Sequence, residues 1–228
     1  MASGTHSQTP LFSRISDLWR TLHDYLVAGL RRRPEPVNDP DSLRRFLETR
    51  ASYIAQTSLY GYLRTRAGMR YPELFDDDVF VASINGAKWH MWLACLSDLT
   101  VYAGGMLRRH APGSPVDVGP FMQDMLQAIL EDNGVPEDAD GEFPAHAERV
   151  RARVRQCDWH EVTDGEGPFS ESPAALVRYA PIVEELKQLD DEIVRNSVRF
   201  HWQEVRRDLR KHLDADAVLS AVREAGAG

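Results

Sequence analysis

Lysine is nearly absent from this chain of 228 residues: Lys88, Lys187 and Lys211 are the only three, and arginine supplies every other basic side chain. We read this bias as the mark of a GC-rich bacterial genome. Cysteine is equally scarce. Cys95 and Cys157 stand far apart, with no short spacing suited to zinc or redox chemistry, which fits a reducing cytosol. The opening residues, MASGTHSQTP, lack a basic region, and Arg14, Asp17, Arg20 and Asp24 interrupt the apolar residues downstream, so no secretory signal is expected.

Several catalytic fingerprints are missing as well. There is no Gly-x-Ser-x-Gly elbow of the α/β-hydrolase kind. The Glu-x-x-His pair that a di-iron bundle needs does not occur. Gly104 and Gly105 follow no strand and precede no Lys-Ser/Thr pair, so they are not a phosphate loop. A net charge of −8 removes the phosphate-neutralising surface that broad nucleic-acid binding requires. No cofactor, no metal and no nucleic acid are expected, and no internal repeat or low-complexity segment stands out.

What is present is helical. An apolar fraction of 43% against 27% charged residues is that of a globular chain able to bury a core. The most apolar stretch, Val79 to Leu107, is broken only by Lys88, His90 and Asp98 and is assigned as a central helix. Within it Ser83, Ala87, His90, Ala94, Ser97, Val101 and Gly104 recur at alternating steps of four and three, so one face is lined by small side chains that let another backbone approach. Residues 89–107 have about the length that crosses a bilayer. Asp98 near their middle would cost roughly 3 kcal/mol there, and the amphipathic neighbours need an apolar helix to pack on, so burial in protein is the preferred reading.

Before the central helix, a helix is predicted from a cap at Asp41 or Ser42 to Ala67, stopped by Gly68. Its own small residues Ala51, Ala55 and Ser58 suggest close packing on the central helix. Asp76, Asp77 and Asp78 would favour the central helix's N-terminus. Further helices are expected from Pro120 to before Gly134 and from Ala145 to Trp159, with the acidic stretch Glu137 to Glu142 read as a solvated connection. Ser172 and Pro173 read as a cap and first turn, Pro181 as a kink or break, and Ile182 to Leu213 as a long last helix.

At the N-terminus, Leu11, Phe12, Ile15, Leu18, Trp19, Leu22 and Leu26 fall on one helical face, followed by Arg31 to Arg33 and a linker carrying Pro34, Pro36 and Pro40. The expected organisation is an amphipathic arm with its linker over residues 1–40 and an all-α bundle over residues 41–228, with about six to eight helices in all.

Three functions are compatible with this pattern. The first is an intracellular interaction protein, an adaptor, assembly factor or regulator, whose arm meets a protein partner or the inner-membrane surface; this places it in the cytoplasm with peripheral membrane contact. The second is a small esterase-like hydrolase using His90 with Asp98 or Ser97, although a rise of about 10 Å from His90 to Ser97 prevents a site within one helix. The third is a small-molecule sensor with His90, Trp89, Trp92 and Tyr102 around its pocket. His201, Glu204, Asp208 and His212 share one stripe of the last helix, but the arginines among them favour a salt-bridged surface over a metal site.

Overall fold

Asp39 opens the bundle. Its carboxylate accepts from the Ser42 N–H at 2.7 Å, while the Ser42 hydroxyl accepts from the Asp39 N–H at 3.1 Å, closing a capping box one turn deep. Pro40 sits in the first turn, where its missing N–H costs nothing. The cap therefore lies two or three residues earlier than expected, with Ser42 as its reciprocal partner. In the computed structural model, which describes residues 35–226, this helix is α1, Pro40–Ala67. Gly68 ends it at φ 55°, a left-handed conformation that suits glycine. The stretch holding Leu11, Phe12, Ile15, Leu18, Trp19, Leu22 and Leu26 lies outside the described residues.

A 3-10 helix over Gly68–Asp76 leads to α2, Asp78–His110. Of the three aspartates, Asp77 is the cap, accepting from the N–H groups of Val79 and Phe80. The remaining helices are α3 (Val118–Asn133), α4 (Phe143–Arg155), α5 (Glu171–Tyr179), α6 (Glu184–His212) and α7 (Ala215–Gly226). The fold is an all-α bundle. Pro181 falls between α5 and α6 and separates them, as its missing donor requires. Three boundaries differ from expectation: α3 starts at Val118 behind an Asp117 cap, α4 stops at Arg155 and leaves Trp159 in a loop, and α7 is an additional helix.

α2 is the axis of the bundle. Every residue from His90 to Leu107 is buried, and α1, α3, α4, α5 and α7 all pack against it. Among the described residues no helix is long and apolar enough to cross a membrane. Of the helices, α1 packs most extensively on α2, as the small residues of both suggested. The small face of α2 also admits α4, α5 and the loops that flank them: His90 meets His146 and Tyr179, Ser97 meets Arg153, and Trp159 covers Gly104.

α6 is fastened to α1 by polar contacts at three levels. Arg66 and Tyr62 bind the buried Asp190 carboxylate, Ser58 meets His201 at 3.0 Å, and Arg50 pairs with Asp208 at 3.1 Å. This stripe of α6 is thus spent on holding the bundle. Val37, within the stretch read as linker, is buried and exchanges backbone hydrogen bonds with the α6–α7 joint, donating to the His212 carbonyl and accepting from the Asp214 N–H, each at 2.9 Å.

Candidate functional site

The acidic stretch before α4 is exposed along most of its length, as a solvated connection is, and two of its carboxylates also clasp α2. Asp138 accepts from the Lys88 ammonium at 2.7 Å and from the Trp89 indole at 2.6 Å. Burial alone would raise the Asp138 pKa; Lys88 and Trp89 bring it below the usual carboxylate value. Asp140, two residues on, faces His90: Nε2 of the ring lies 3.0 Å from both carboxylate oxygens. Nδ1 of His90 lies 2.8 Å from Nδ1 of His146, on the first turn of α4.

The chemistry of these contacts sets the direction of the chain. A carboxylate only accepts, so His90 Nε2 carries a hydrogen and donates to Asp140. In a neutral ring Nδ1 then accepts, and His146 Nδ1 is the donor. That leaves His146 Nε2 as a lone pair with no hydrogen bond of its own among the described residues. Burial is the main influence on His146, with help from the nearby His90, Arg149 and Arg178, and pushes its pKa from 6.5 down to about 4. At neutral pH it offers a proton acceptor, not a charge. Tyr179, at the end of α5, stacks on His90 with centroids 3.9 Å apart and planes 12° from parallel, holding the pair in place.

His146 borders an open cleft of about 540 Å³ between α2 and α4. Ala94, Val101 and Val150 give it an apolar lining, and Ser97, Arg149, Arg153, Gln156, Cys157 and Glu171 surround that lining with polar groups. The two arginines are not equivalent. Arg153 is committed: one terminal nitrogen donates to Ser97 Oγ at 2.9 Å and Asp98 Oδ1 at 2.6 Å, the other to the Pro168 carbonyl at 2.7 Å. Arg149 is exposed and among the described residues makes only a 3.4 Å contact with the Tyr179 hydroxyl, so most of its guanidinium donors are open to solvent at the cleft's rim.

Asp98, fully buried, holds two of the cleft's lining residues, Arg153 and Glu171. Its carboxylate accepts from Arg153, from the Glu171 N–H at 3.2 Å, and from the N–H and hydroxyl of Ser172 at 2.8 and 2.6 Å. It thereby caps α5 from a neighbouring helix, a place where a negative charge is favoured. The Ser172 hydroxyl also accepts from the Trp202 indole at 2.9 Å, which ties α6 into the same node. Complete burial pushes the Asp98 carboxyl up from its ordinary value, and Arg153 and Ser172 pull against that rise.

The three residues expected to act as a hydrolase are not assembled into one. His90 has both nitrogens engaged by Asp140 and His146, Asp98 is saturated by α4 and α5 donors, and the Ser97 hydroxyl is held by Arg153. Of the expected pocket residues, none of His90, Trp89, Trp92 and Tyr102 lines this cleft. His90 acts from behind His146. Trp89 packs edge-on against Trp92 and Phe143. The Tyr102 hydroxyl donates to Asp164 at 2.8 Å, and burial, then Asp164, pushes its pKa up to about 12. Among the described residues no three His, Cys, Asp or Glu side chains gather as metal ligands.

The residues missed from sequence are His146, Arg149, Asp140 and Tyr179. His146 and Arg149 sit one turn apart on an arginine-rich helix, a spacing that marked them as one face but named no partner. Comparison with known protein families, characterised proteins and solved structures found no match to the chain.

Proposed function

We propose that the chain is a small-molecule binding protein, a sensor, whose site is the cleft between α2 and α4. The observation that carries this reading is the polarised chain from Asp140 through His90 to His146, which supports a fixed acceptor at the edge of a cleft where Arg149 is largely uncommitted. Arg149 suits a carboxylate or phosphate. His146 Nε2 and the Glu171 carboxylate suit a hydrogen-bond donor on the same molecule. The ligand class is therefore a small polar compound bearing one anionic group and one donor, such as an amino-acid derivative.

A thermal-shift screen of amino acids, their phosphorylated or acylated derivatives and simple dicarboxylates tests this. A ligand at a hundred times its dissociation constant adds about 2.7 kcal/mol of stability. The shift should vanish in Arg149→Ala and weaken in His146→Gln. Stabilisation that survives Arg149→Ala would place the ligand elsewhere and refute the assignment.

A second reading, an interaction protein engaging a protein partner or the inner-membrane surface, has support from one observation in the described residues. Leu189, Ile193 and Phe200 are all exposed on α6, and exposed apolar residues clustered on one face mark contact surfaces. Pull-down with wild type and with Ile193→Asp tests it; identical recoveries would count against it.

A further inference from the structure

α6 carries two apolar stripes of opposite fate. One, through Val194, Val198, Trp202, Val205 and Leu209, is buried in the bundle. The other runs along the opposite side, where Leu189 is 76%, Ile193 73% and Phe200 68% exposed. Leu186, Leu189, Ile193, Asn196, Phe200 and Gln203 follow one another at alternating steps of three and four, the spacing of the inner seam of a coiled coil. No helix among the described residues covers the three exposed side chains.

Charge identifies the occupant. Outside the bundle the first half of α6 is acidic, with Glu184, Glu185, Asp191 and Glu192 against Lys187 and Arg195, while Asp190 is buried against α1. The second half is basic, with Arg199, Arg206, Arg207, Arg210 and Lys211 against Glu204 and Asp208. Where two reversed copies overlap about a point between Val194 and Arg195, residues 184–205, Glu192 and Arg199 are the opposed charges beside the stripe, whereas a parallel copy would set acid on acid.

We infer that a second copy of this chain docks on this stripe, α6 against α6 and antiparallel, with a two-fold axis between Val194 and Arg195. This register places Leu189 opposite Phe200, Ile193 opposite Asn196 and Leu186 opposite Gln203. The same register brings Glu192 of each copy beside Arg199 of the other, on one flank of the seam, twice per dimer. Apolar contacts and the Glu192–Arg199 pairs thus agree on one alignment, in which Asn196, accepting from Arg199 of its own chain at 3.0 Å, lies beside Ile193 of the other copy. The surface lies opposite the stripe that binds α1, so the fold of each copy is unaffected.

Sedimentation equilibrium of the full chain at tens of micromolar tests the dimer, with circular dichroism to confirm that each variant keeps its helices. Wild type should be dimeric and Ile193→Asp monomeric. Glu192→Arg and Arg199→Glu should each weaken the dimer about tenfold, since two attractive pairs become repulsive. The double variant Glu192→Arg, Arg199→Glu should regain wild-type affinity, because the pairs re-form with signs exchanged. A wild-type monomer, or a dimer that persists in Ile193→Asp, overturns the inference and leaves the stripe to another partner. Failure of the double variant to recover overturns the antiparallel register.

Discussion

The indole of Trp159 lies on Gly104: a β-carbon at that glycine would stand 2.8 Å from Cε3 of the ring and 3.0 Å from Met122 Cγ. The loop after α4 can lie this close to the central helix only because that helix turn has no side chain. Next to it, a β-carbon on Gly105 would stand 2.6 Å from Val162 Cβ. Gly104→Ala should therefore destabilise the protein by about 1–3 kcal/mol, the usual cost of overpacking. Urea denaturation measures it. A shorter side chain at the opposing position, Trp159→Leu, should recover part of the loss in the double variant, and purely additive losses would show that the two residues do not conflict.

The capping of α5 by Asp98 leads to a larger effect. Asp98→Asn keeps the shape but removes the charge that answers Arg153, and its amide group turns donors toward donors. Breaking a buried pair on one side costs about 3 kcal/mol or more, and the loss here should be of that order. Hydrogen exchange should show the damage concentrated in α5 and at Trp202, which share the Ser172 hydroxyl with Asp98. A uniform increase across all helices would mean that Asp98 supports the core generally and does not act as a distant cap.

Stability should also depend on pH through His146. Unfolded, its ring takes up a proton near 6.5; folded, it does so only near about 4. Between those values the unfolded chain binds more protons, so stability is full above pH 6.5 and falls as the pH drops toward 4. His201, lowered chiefly by burial, acts in the same direction. In His146→Gln the slope of unfolding free energy against pH should flatten over this window. An unchanged slope would assign the proton uptake to other groups.

How much of this could be read from the chain depended on range. Helix ends with local chemistry were legible, since Gly68 and Asp77 act on residues within four positions of themselves. The central helix was legible because its apolar run has no polar face to offer water. Contacts between distant segments were not. Asp140 and His90 are fifty residues apart, and Asp98 and Ser172 seventy-four, so nothing local said that an exposed acidic stretch would supply the partner of a buried histidine. The small face of α2 announced a close approach, but nothing in its spacing said that the Trp159 loop would cover Gly104. The α7 helix escaped because its buried residues, Ala215, Val218 and Leu219, span little more than one turn.

The electrostatic setting of His146 can be dissected residue by residue with a carbon-detected NMR titration of its ring. Arg149 and Arg178 both oppose its protonation, and Asp140, acting across His90, favours it. Arg149→Ala and Arg178→Ala should therefore each move the His146 titration upward from about 4, while Asp140→Asn should move it further down. The Asp140 variant carries a second signature. Without a carboxylate to hold the hydrogen on His90 Nε2, both His90 tautomers become accessible, and the His146 Nδ1 proton loses its fixed acceptor. Its ring nitrogen shifts should then change from those of a single tautomer to those of a mixture. If Asp140→Asn alters neither the titration nor the tautomer, His90 does not transmit the influence of Asp140, and the cleft's acceptor is set by α4 alone.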